Sequence, residues 1–572
     1  MHRIDDHSDY LFDPWRHFGP KRKTFIKKSW AGVFRKFLLN HLPIELILQY
    51  FHKYIGRPSK EIYSMVGALI LQQMFDLTDE ETLEAYCFNE MWHYALDIRD
   101  TSDKSMYLAN RTLRTYRNFA VQSGLADILF HSLTDKLIQD FKVKTDKQRL
   151  DSTHLLSNMK RLNRLNLFVA TIGKFLKELK RLLPDRFKSQ LDQEQVDPYL
   201  KEKGGCFSKV RGDEAKRKLE EVSQDLYMFV KTFETDEQVK ALESYHLLRR
   251  LLEEQCEVIE ENQEEKVQLK PAKEIDCTSM QNPSDPDATY DGHKGTGYQA
   301  QIMETYSTDE DEKQLDLITY VEVEAAHERD ENTPPQAIEA TQERNCAPKI
   351  LTADAAYGSD ENVEKALDEG VEIIAPTKGE PKSKEEKLIL EDFTLDEETG
   401  IIQSCPNGEE PIEIDDSKEG ILKIYFDPAK CETCDHRDYC SGGLDKDNKI
   451  QYTPKQARLA QRRVHEESEV FRDTYRWRAG IEATNAKLKQ VMGMGRLRVR
   501  GLGRVRHAVM LKALGWNIFQ VVRAIKACFF VSMELIFIMN PVATVWTICM
   551  YTVSYGTRPT YSKAYHKKAF FP

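Results

Sequence analysis

Residues 475–489 read Tyr-Arg-Trp-Arg-Ala-Gly-Ile-Glu-Ala-Thr-Asn-Ala-Lys-Leu-Lys. Intervals of three, four and seven residues separate Tyr475, Arg478, Glu482 and Lys489. On an α-helix these steps return to one face, so the four side chains are predicted to form a single stripe. Such a stripe is either a solvated row of ion pairs or a metal-binding carboxylate flanked by cations that contact phosphate.

The segment that contains this stripe is basic, although the chain as a whole is acidic. The 572 residues carry a formal net charge of −11, which taken alone argues against a nucleic-acid partner. From Ile481 to Lys526, however, Glu482 is the only acidic residue. A track for a DNA backbone is predicted along this segment, and a merely solvated basic surface is the alternative. Its arginines include Arg496, Arg498, Arg500, Arg504 and Arg506.

Two further acidic residues stand at the ends of extended stretches. Asp151 ends a short extended run, and Asp354 follows the apolar residues 350–353. A carboxylate at the carboxyl end of a strand points into the crevice where α/β folds bind their ligands. For Asp354, a capping role in the next turn is the alternative interpretation.

The hydrophobic period changes along the chain. Apolar residues at three- and four-residue spacing predict helices in the first 150 residues, and Thr78 with Glu81 forms a capping box before one of them. Helical patterns continue from about 155 to 265, and they return from 454 to 526. Between them, alternating or apolar runs predict strands. The predicted helices of the first part are 44–54, 60–75, 79–88 and 113–122, and the predicted strands are 298–305, 316–324, 349–353 and 372–376.

Taken together, these motifs resemble the DDE transposases of bacterial insertion sequences. The pattern Tyr-x2-Arg-x3-Glu-x6-Lys is met without a gap. Asp151-Ser152-Thr153 resembles the strand of the first aspartate, and residues 352–357 resemble that of the second. Residues 285–288 with 297–300 resemble the stretch that enters the next strand of the catalytic sheet. Gly56-Arg57-Pro58 and the helices after it resemble the N-terminal domain, so the resemblance covers about residues 30 to 525.

The resemblance implies an α/β fold with a ribonuclease H-like catalytic core. The core would comprise residues 141–155, 275–380 and 454–526. A helical N-terminal DNA-binding domain would occupy residues 1–140. A helical insertion at 156–274 and a small Cys-rich insertion at 381–453 would interrupt the core, and an apolar tail would follow at 527–572.

The resemblance also implies a chemistry. Asp151, Asp354 and Glu482 would hold two Mg²⁺ or Mn²⁺ ions, water would cleave the element end to leave a 3′-hydroxyl, and that hydroxyl would attack target DNA. Arg478 and Lys489 would bind phosphate, and Tyr475 would position a phosphate or support the helix. Trp477 would stack on an unpaired base or pack in the core.

The implied partner is double-stranded DNA, both as element ends and as target, bound by a homodimer on paired ends. The implied location is the cytoplasm, in association with the nucleoid, and no membrane partner is expected. Two alternatives stay open. One is a catalytically silent DNA-binding relic or repressor, and the other is a ribonuclease H-like nuclease that cuts without joining.

Four of the eleven cysteines cluster in the pattern C-x25-C-x2-C-x5-C. Four thiolates with one close C-x2-C pair are typical of a structural zinc site, so Zn²⁺ is predicted there. Reduced thiols without metal, or a vestigial site, are the alternatives. The odd total suits a reducing cytosol. The four residues are Cys405, Cys431, Cys434 and Cys440.

Both ends of the sequence bear on location. The start lacks an apolar signal sequence, so a cytoplasmic N-terminus is expected. The apolar stretch from Cys528 to Ser554 is long enough to cross a bilayer. Because Glu534 and Asn540-Pro541 lie inside it, a buried terminal helical hairpin is the preferred interpretation.

Overall fold

Helices form the N-terminal part of the protein. The computed structural model describes residues 1–5, 14–200, 210–261, 264–309, 315–379, 387–418, 420–440 and 448–539. The first helices are α1 (Pro20–Lys27), α2 (Trp30–Val33), α3 (Glu45–Leu48), α4 (Ile62–Met74), α5 (Asp79–Phe88), α6 (Glu90–Ala95), α7 (Asp103–Met106), α8 (Asn110–Gln122) and α9 (Leu125–Phe141).

Most of the helices predicted for the first 150 residues are present, but one prediction is wrong over much of its length. The predicted capping box of α5 is confirmed, because Glu81 N donates to Thr78 Oγ1 at 3.2 Å and Thr78 N donates to Glu81 Oε2 at 2.8 Å. The predicted helix 44–54 ends at Leu48. Beyond it the His52 ring accepts hydrogen bonds from the backbone of residues 54 and 55, and such local bonds compete with a helix.

The first strand and a helical insertion follow. Strand β1 (Lys147–Leu155) runs four residues past Asp151, where the extended stretch was predicted to end. The insertion has its own apolar core. Residues from 256 onward were predicted to be helical but form a hairpin, in which β-branched Val258 and Ile259 suit a strand. The elements are α10 (Arg164–Leu182), α11 (Pro184–Gln190), α12 (Gln193–Leu200), α13 (Asp213–Thr232), α14 (Glu237–Lys240), α15 (Glu243–Gln255), β2 (Cys256–Glu261) and β3 (Glu264–Leu269).

A mixed sheet then completes the α/β part, which confirms the predicted α/β class. Strand β5 is antiparallel to β1 and to β6, whereas β7 is parallel to its two neighbours β1 and β8. The order along the sheet is β4-β5-β1-β7-β8, with β6 beside β5. The elements are β4 (Thr289–Asp291), β5 (Gly295–Thr305), β6 (Ile318–Ala325), α16 (Thr333–Gln342), β7 (Ile350–Thr352), α17 (Asp360–Asp368) and β8 (Glu372–Ile374).

The Cys-rich stretch and the C-terminal helices come last. The former has a small apolar core that includes Phe393, Ile424 and Tyr452. The elements are β9 (Thr394–Leu395), β10 (Ile402–Ser404), β11 (Glu413–Lys418), β12 (Ile421–Tyr425), α18 (Pro428–Glu432), β13 (Lys449–Tyr452), α19 (Pro454–Glu466), α20 (Glu469–Tyr475), α21 (Ala479–Gln490) and α22 (Leu502–Met539).

Both faces of the sheet are covered. One face shares a single apolar core with the N-terminal helices and α22, and the other packs on α16 and α17. The start of α22 is fixed by the acidic motif of residues 285–288, because Asp285 accepts from Gly501 N at 2.9 Å and Asp287 accepts from Leu502 N at 3.0 Å. The helix that carries Glu482, the sheet and the N-terminal helices therefore belong to one packed body.

Helix α22 also bears on the question of a membrane. Within the described residues its Leu502–Ala527 portion is long and apolar enough to span a bilayer, but 72% of its apolar window is buried in the protein. The helix therefore serves as a core helix. The predicted terminal hairpin of residues 528–554 lies largely outside the described residues, although the helical backbone continues to Met539.

Candidate active site

The first two carboxylates lie on neighbouring parallel strands. Strands β1 and β7 pair with Arg149 opposite Thr352. Asp151 lies two residues after Arg149, and Asp354 lies two residues after Thr352. Both aspartates therefore reach the same edge of the sheet. Asp354 Oδ1 also accepts a hydrogen bond from Ala356 N at 2.8 Å, so the capping role is present as well.

Arg478 contacts all three predicted catalytic carboxylates. Its Nη2 lies 3.7 Å from Asp151 Oδ1 and 3.8 Å from Asp354 Oδ2. Its Nη1 lies 2.8 Å from Glu482 Oε1. The side chain of Arg478 is 19% exposed and that of Glu482 is 61% exposed. The structure therefore brings the three carboxylates around a single half-buried guanidinium.

The carboxyl of Asp151 has a raised pKa. Burial raises its pKa to about 6, Arg478 opposes that shift, and the nearby carboxylates of Asp354 and Asp330 add to it. Asn485 Nδ2 donates to Asp151 Oδ2 at 3.2 Å. A carboxyl with this pKa exchanges its proton near neutral pH, which is common at functional sites.

The donor set suits hard divalent cations, since Mg²⁺ and Mn²⁺ prefer carboxylate oxygens. Within the part of the chain that the structure describes, no group of three or more His, Cys, Asp or Glu side chains is close enough together to hold a metal ion directly. Here the guanidinium of Arg478 stands in for a cation between the carboxylates. Metal binding by these three carboxylates would therefore require the Arg478 side chain to move away.

A buried ion pair positions the helix that carries Glu482. Arg149 Nε donates to Glu304 Oε1 at 2.8 Å, and Thr484 Oγ1 donates to the same oxygen at 3.1 Å. Arg149 Nη1 also donates to the carbonyl of Trp477 at 2.9 Å. A Cβ on Gly480 would lie 1.9 Å from this guanidinium, so any larger residue there would displace the Arg149 side chain from its ion pair.

The helix that carries the predicted stripe is not a continuous α-helix, although Tyr475 still lies near Arg478 and Glu482. Residues Arg476–Arg478 form a 3-10 turn between α20 and α21, at the point where Arg149 approaches the chain. The pairing of Arg478 with Glu482 survives this turn, as the 2.8 Å contact shows.

Cations flank the other side of Asp151. Burial lowers the pKa of Lys489, Asp151 opposes that shift and Lys294 reinforces it. Lys294 Nζ donates to Ser152 Oγ at 3.0 Å and lies 3.5 Å from Asp330 Oδ2. This side of the site therefore carries positive charge close to the sheet edge that holds Asp151.

The two aromatic residues of the motif pack against protein rings. Tyr475 stacks on Phe471 with ring centroids 5.5 Å apart, and burial raises the pKa of its hydroxyl. Trp477 lies parallel to Tyr306 with centroids 6.4 Å apart. The contact of Tyr475 fits its helix-supporting interpretation. Trp477 is half-buried and belongs to none of the apolar clusters in the described residues, so its core interpretation stays a prediction.

The downstream arginines differ in their surroundings. Arg496 and Arg504 are exposed. Arg498 pairs with Asp76 at 2.6 Å, and Arg500 donates to the carbonyl of Asn158. Arg506 contacts Asp127 at 2.6 Å and also contacts Glu322, so its charge is already engaged within the protein.

The four clustered cysteines line one cavity. Its volume is about 30 Å³, and Phe393, Phe426, Arg437 and Asn448 complete the lining. Burial and the three neighbouring thiols raise the pKa of Cys431. The thiols therefore converge, although they do not form a group close enough together to hold a metal directly within the described residues.

Sequence reasoning missed several residues of the site. Two of them could have been inferred from the spacing. Arg149 stands two residues before Asp151 on one strand, and Asn485 stands three residues after Glu482 on one helix, so each shares a face with a predicted catalytic residue. Glu304, Lys294 and Asp330 had no such signal. Only the folded sheet brings Glu304 to Arg149 and brings Lys294 and Asp330 close to Asp151.

Two family models match parts of the chain. Residues 27–117 match the model described as Transposase domain (DUF772), and residues 404–522 match the model described as Transposase DDE domain. No curated protein and no solved structure matches the chain significantly. The second match includes Glu482, whereas Asp151 and Asp354 lie outside both. The predicted resemblance to DDE transposases is confirmed at the level of these two domains.

Proposed function

We propose that this protein is a DDE transposase of the branch with the Tyr-x2-Arg-x3-Glu-x6-Lys signature, built on a ribonuclease H-like core. The observation that carries the proposal is the convergence of Asp151, Asp354 and Glu482 on Arg478. The two matched transposase domains and the mixed sheet support it.

In this proposal Asp151, Asp354 and Glu482 would hold two Mg²⁺ or Mn²⁺ ions, which would supply positive charge to stabilise an in-line displacement. In the first step a water oxygen bonds to phosphorus and the bond from phosphorus to the 3′ oxygen breaks, leaving a 3′-hydroxyl. In the second step that hydroxyl attacks a target phosphate and displaces the 3′ oxygen of the target strand.

The chain's own cations bind and orient the DNA. Arg478 leaves the carboxylates and donates its forked N–H groups to non-bridging oxygens of the scissile phosphate, while Lys489 contacts a neighbouring phosphate as a point charge. Asp151 gives up its proton before it can act as a ligand. Arg496, Arg498, Arg500, Arg504 and Arg506 follow the DNA backbone, with Arg506 also tied to the protein.

The remaining assignments are proposals of the same kind. The protein works as a homodimer that pairs two element ends, in the cytoplasm on nucleoid DNA. The four clustered cysteines would hold one structural Zn²⁺, because a small module with little core gains stability from a metal.

The test uses purified full-length protein and a plasmid that carries the DNA flanking its gene. Nicks with free 3′-hydroxyls and joined products are expected with Mg²⁺ or Mn²⁺ and are absent with EDTA. Asp151→Ala, Asp354→Ala and Glu482→Gln should each abolish cleavage while DNA binding persists. Asp368→Asn, which removes an exposed carboxylate on α17, is the matched control and should retain activity.

The alternatives predict different results. Binding without any metal-dependent cleavage by the wild-type protein would identify a silent relic or repressor. Cleavage without joined products would identify a nuclease. Loss of binding together with cleavage in Asp354→Ala would contradict the metal-ligand role of that residue.

A further inference from the structure

A cationic groove without an assigned role lies next to the candidate active site. Its volume is about 470 Å³. The lining within the described residues includes Lys160, Arg161, His293 and Lys294, and it contains no carboxylate. Tyr290 also lines the groove, and this residue is 44% exposed. A positive concave surface with an exposed aromatic ring is typical of nucleic-acid binding.

Backbone pairing joins this groove to the basic segment downstream of Glu482. Leu156 N donates to the carbonyl of Gly495 at 3.1 Å, and Leu497 N donates to the carbonyl of Leu156 at 2.7 Å. Asn158 N donates to the carbonyl of Val499 at 3.0 Å. The chain that leads into Lys160 and Arg161 therefore runs beside the arginine-rich segment, so the two positive surfaces are neighbours.

The other end of the groove reaches the carboxylates. Lys294 lines the groove and donates to Ser152 Oγ at 3.0 Å, one residue from Asp151. Although Asp330 lies 3.5 Å from this ammonium, Lys160, Arg161 and His293 are exposed. Gly295 lines the groove beside Arg161, and its φ of +90° disfavours other residues.

From this arrangement we infer that the groove binds the backbone of the DNA strand that leaves the active site. Lys160, Arg161 and His293 contact successive phosphates, Lys294 contacts the phosphate nearest the carboxylates, and the ring of Tyr290 packs on a sugar or base. The inference rests on the proposed function, because it takes the carboxylate cluster as the site where the strand is cut.

The test measures DNA binding without catalysis. A fluorescein-labelled 30-base-pair duplex is titrated with full-length protein in EDTA, by anisotropy, over a range of potassium chloride concentrations. Lys160→Ala with Arg161→Ala should weaken binding about tenfold and lower the salt slope by about 1.8, since each lost phosphate contact lowers it by about 0.9.

A matched control separates the groove from general charge loss. Lys216→Ala with Arg217→Ala removes an exposed Lys-Arg pair on α13 in the insertion, where the two side chains are 80% and 70% exposed. This double variant should bind DNA within about twofold of wild type. Tyr290→Phe should bind like wild type, whereas Tyr290→Ala should lose about threefold or more because stacking is lost.

The inference is overturned if the groove variant keeps the affinity and salt slope of the control while circular dichroism shows that both are folded. Its failure is distinguishable from that of the proposed function. If the groove variant binds DNA more weakly but the wild-type protein never cleaves with Mn²⁺, the groove is supported as a DNA-binding surface and the transposase function is contradicted. If the wild-type protein cleaves and the groove variant binds DNA like the control, the transposase function stands and the groove inference fails.

Discussion

Asp151→Asn is expected to stabilise the metal-free protein at neutral pH while it abolishes metal-dependent cleavage. The pKa of the Asp151 carboxyl rises from 3.8 to about 6 on folding, chiefly because the side chain is buried. The folded protein therefore binds this proton more tightly than the unfolded chain. An asparagine keeps an oxygen that can accept from Asn485 but carries no charge to bury.

The magnitude follows from the difference in pKa. About two pH units at 1.36 kcal/mol each correspond to about 3 kcal/mol. The favourable contribution of the protonated carboxyl is fully present below pH 3.8 and is lost as the pH rises through about 6. Above that pH the ionised carboxylate costs the wild-type protein about 3 kcal/mol, and the asparagine variant avoids this cost.

The assay is urea denaturation in EDTA at several pH values between 4 and 8, followed by circular dichroism. The advantage of Asp151→Asn should be small near pH 4 and reach a plateau above pH 6. Asp354→Asn is the control, because its side chain is 37% exposed and should show a smaller effect. Saturating Mn²⁺ should reduce the difference, since it binds only the ionised wild-type site.

The reasoning about Asp151 is refuted if Asp151→Asn is no more stable than wild type at pH 8. It is also refuted if the gain is the same at pH 4 and pH 8, because a titrating carboxyl cannot give a constant difference.

Three further outcomes are expected. Arg478→Gln removes the cation that competes with metal for the carboxylates. Mn²⁺ binding, measured by calorimetry, should therefore tighten about tenfold, while DNA cleavage falls. Weaker Mn²⁺ binding would argue against this competition. Cys431→Ser should lower bound zinc, measured by mass spectrometry, from about one ion per chain to none, and an unchanged zinc content would exclude the thiols as ligands. Asp76→Asn leaves the buried ammonium of Lys512 without its 2.8 Å carboxylate partner and should lower the free energy of unfolding by about 3 kcal/mol. Adding Lys512→Met to that variant should restore much of the loss, and no recovery would mean that the ion pair is not the cause.

Local signals in the sequence predicted local structure well. Helix α5 was predicted at its observed bounds because Thr78 and Glu81 cap it through bonds only three residues apart. The pairing of Arg478 with Glu482 followed in the same way from one helical turn. The short α3 was predicted too long, because a histidine side chain captures the backbone beyond it.

Contacts between residues far apart in the chain could not be predicted from the spacing of residues. Spacing predicts that Arg478 meets Glu482, but the same guanidinium also reaches Asp151 and Asp354 from another part of the fold. The support of α21 by Arg149 and Glu304 likewise depends on the register of β1 with β5, where residue 149 faces residue 304. Such pairings are decided by the assembled sheet rather than by any neighbouring residues.

The core shared by the N-terminal helices and α22 has a consequence for the synthesis of this protein. Helix α4 is apolar around most of its surface, and its buried residues pack with those of α22 in one cluster. The ribosome adds roughly 5–20 residues per second, so α22 emerges about 20–70 s after α9 is complete. During that time the apolar faces of the N-terminal helices cannot pack against α22 and stay exposed to solvent. The nascent chain therefore has to be kept from aggregating until α22 is made.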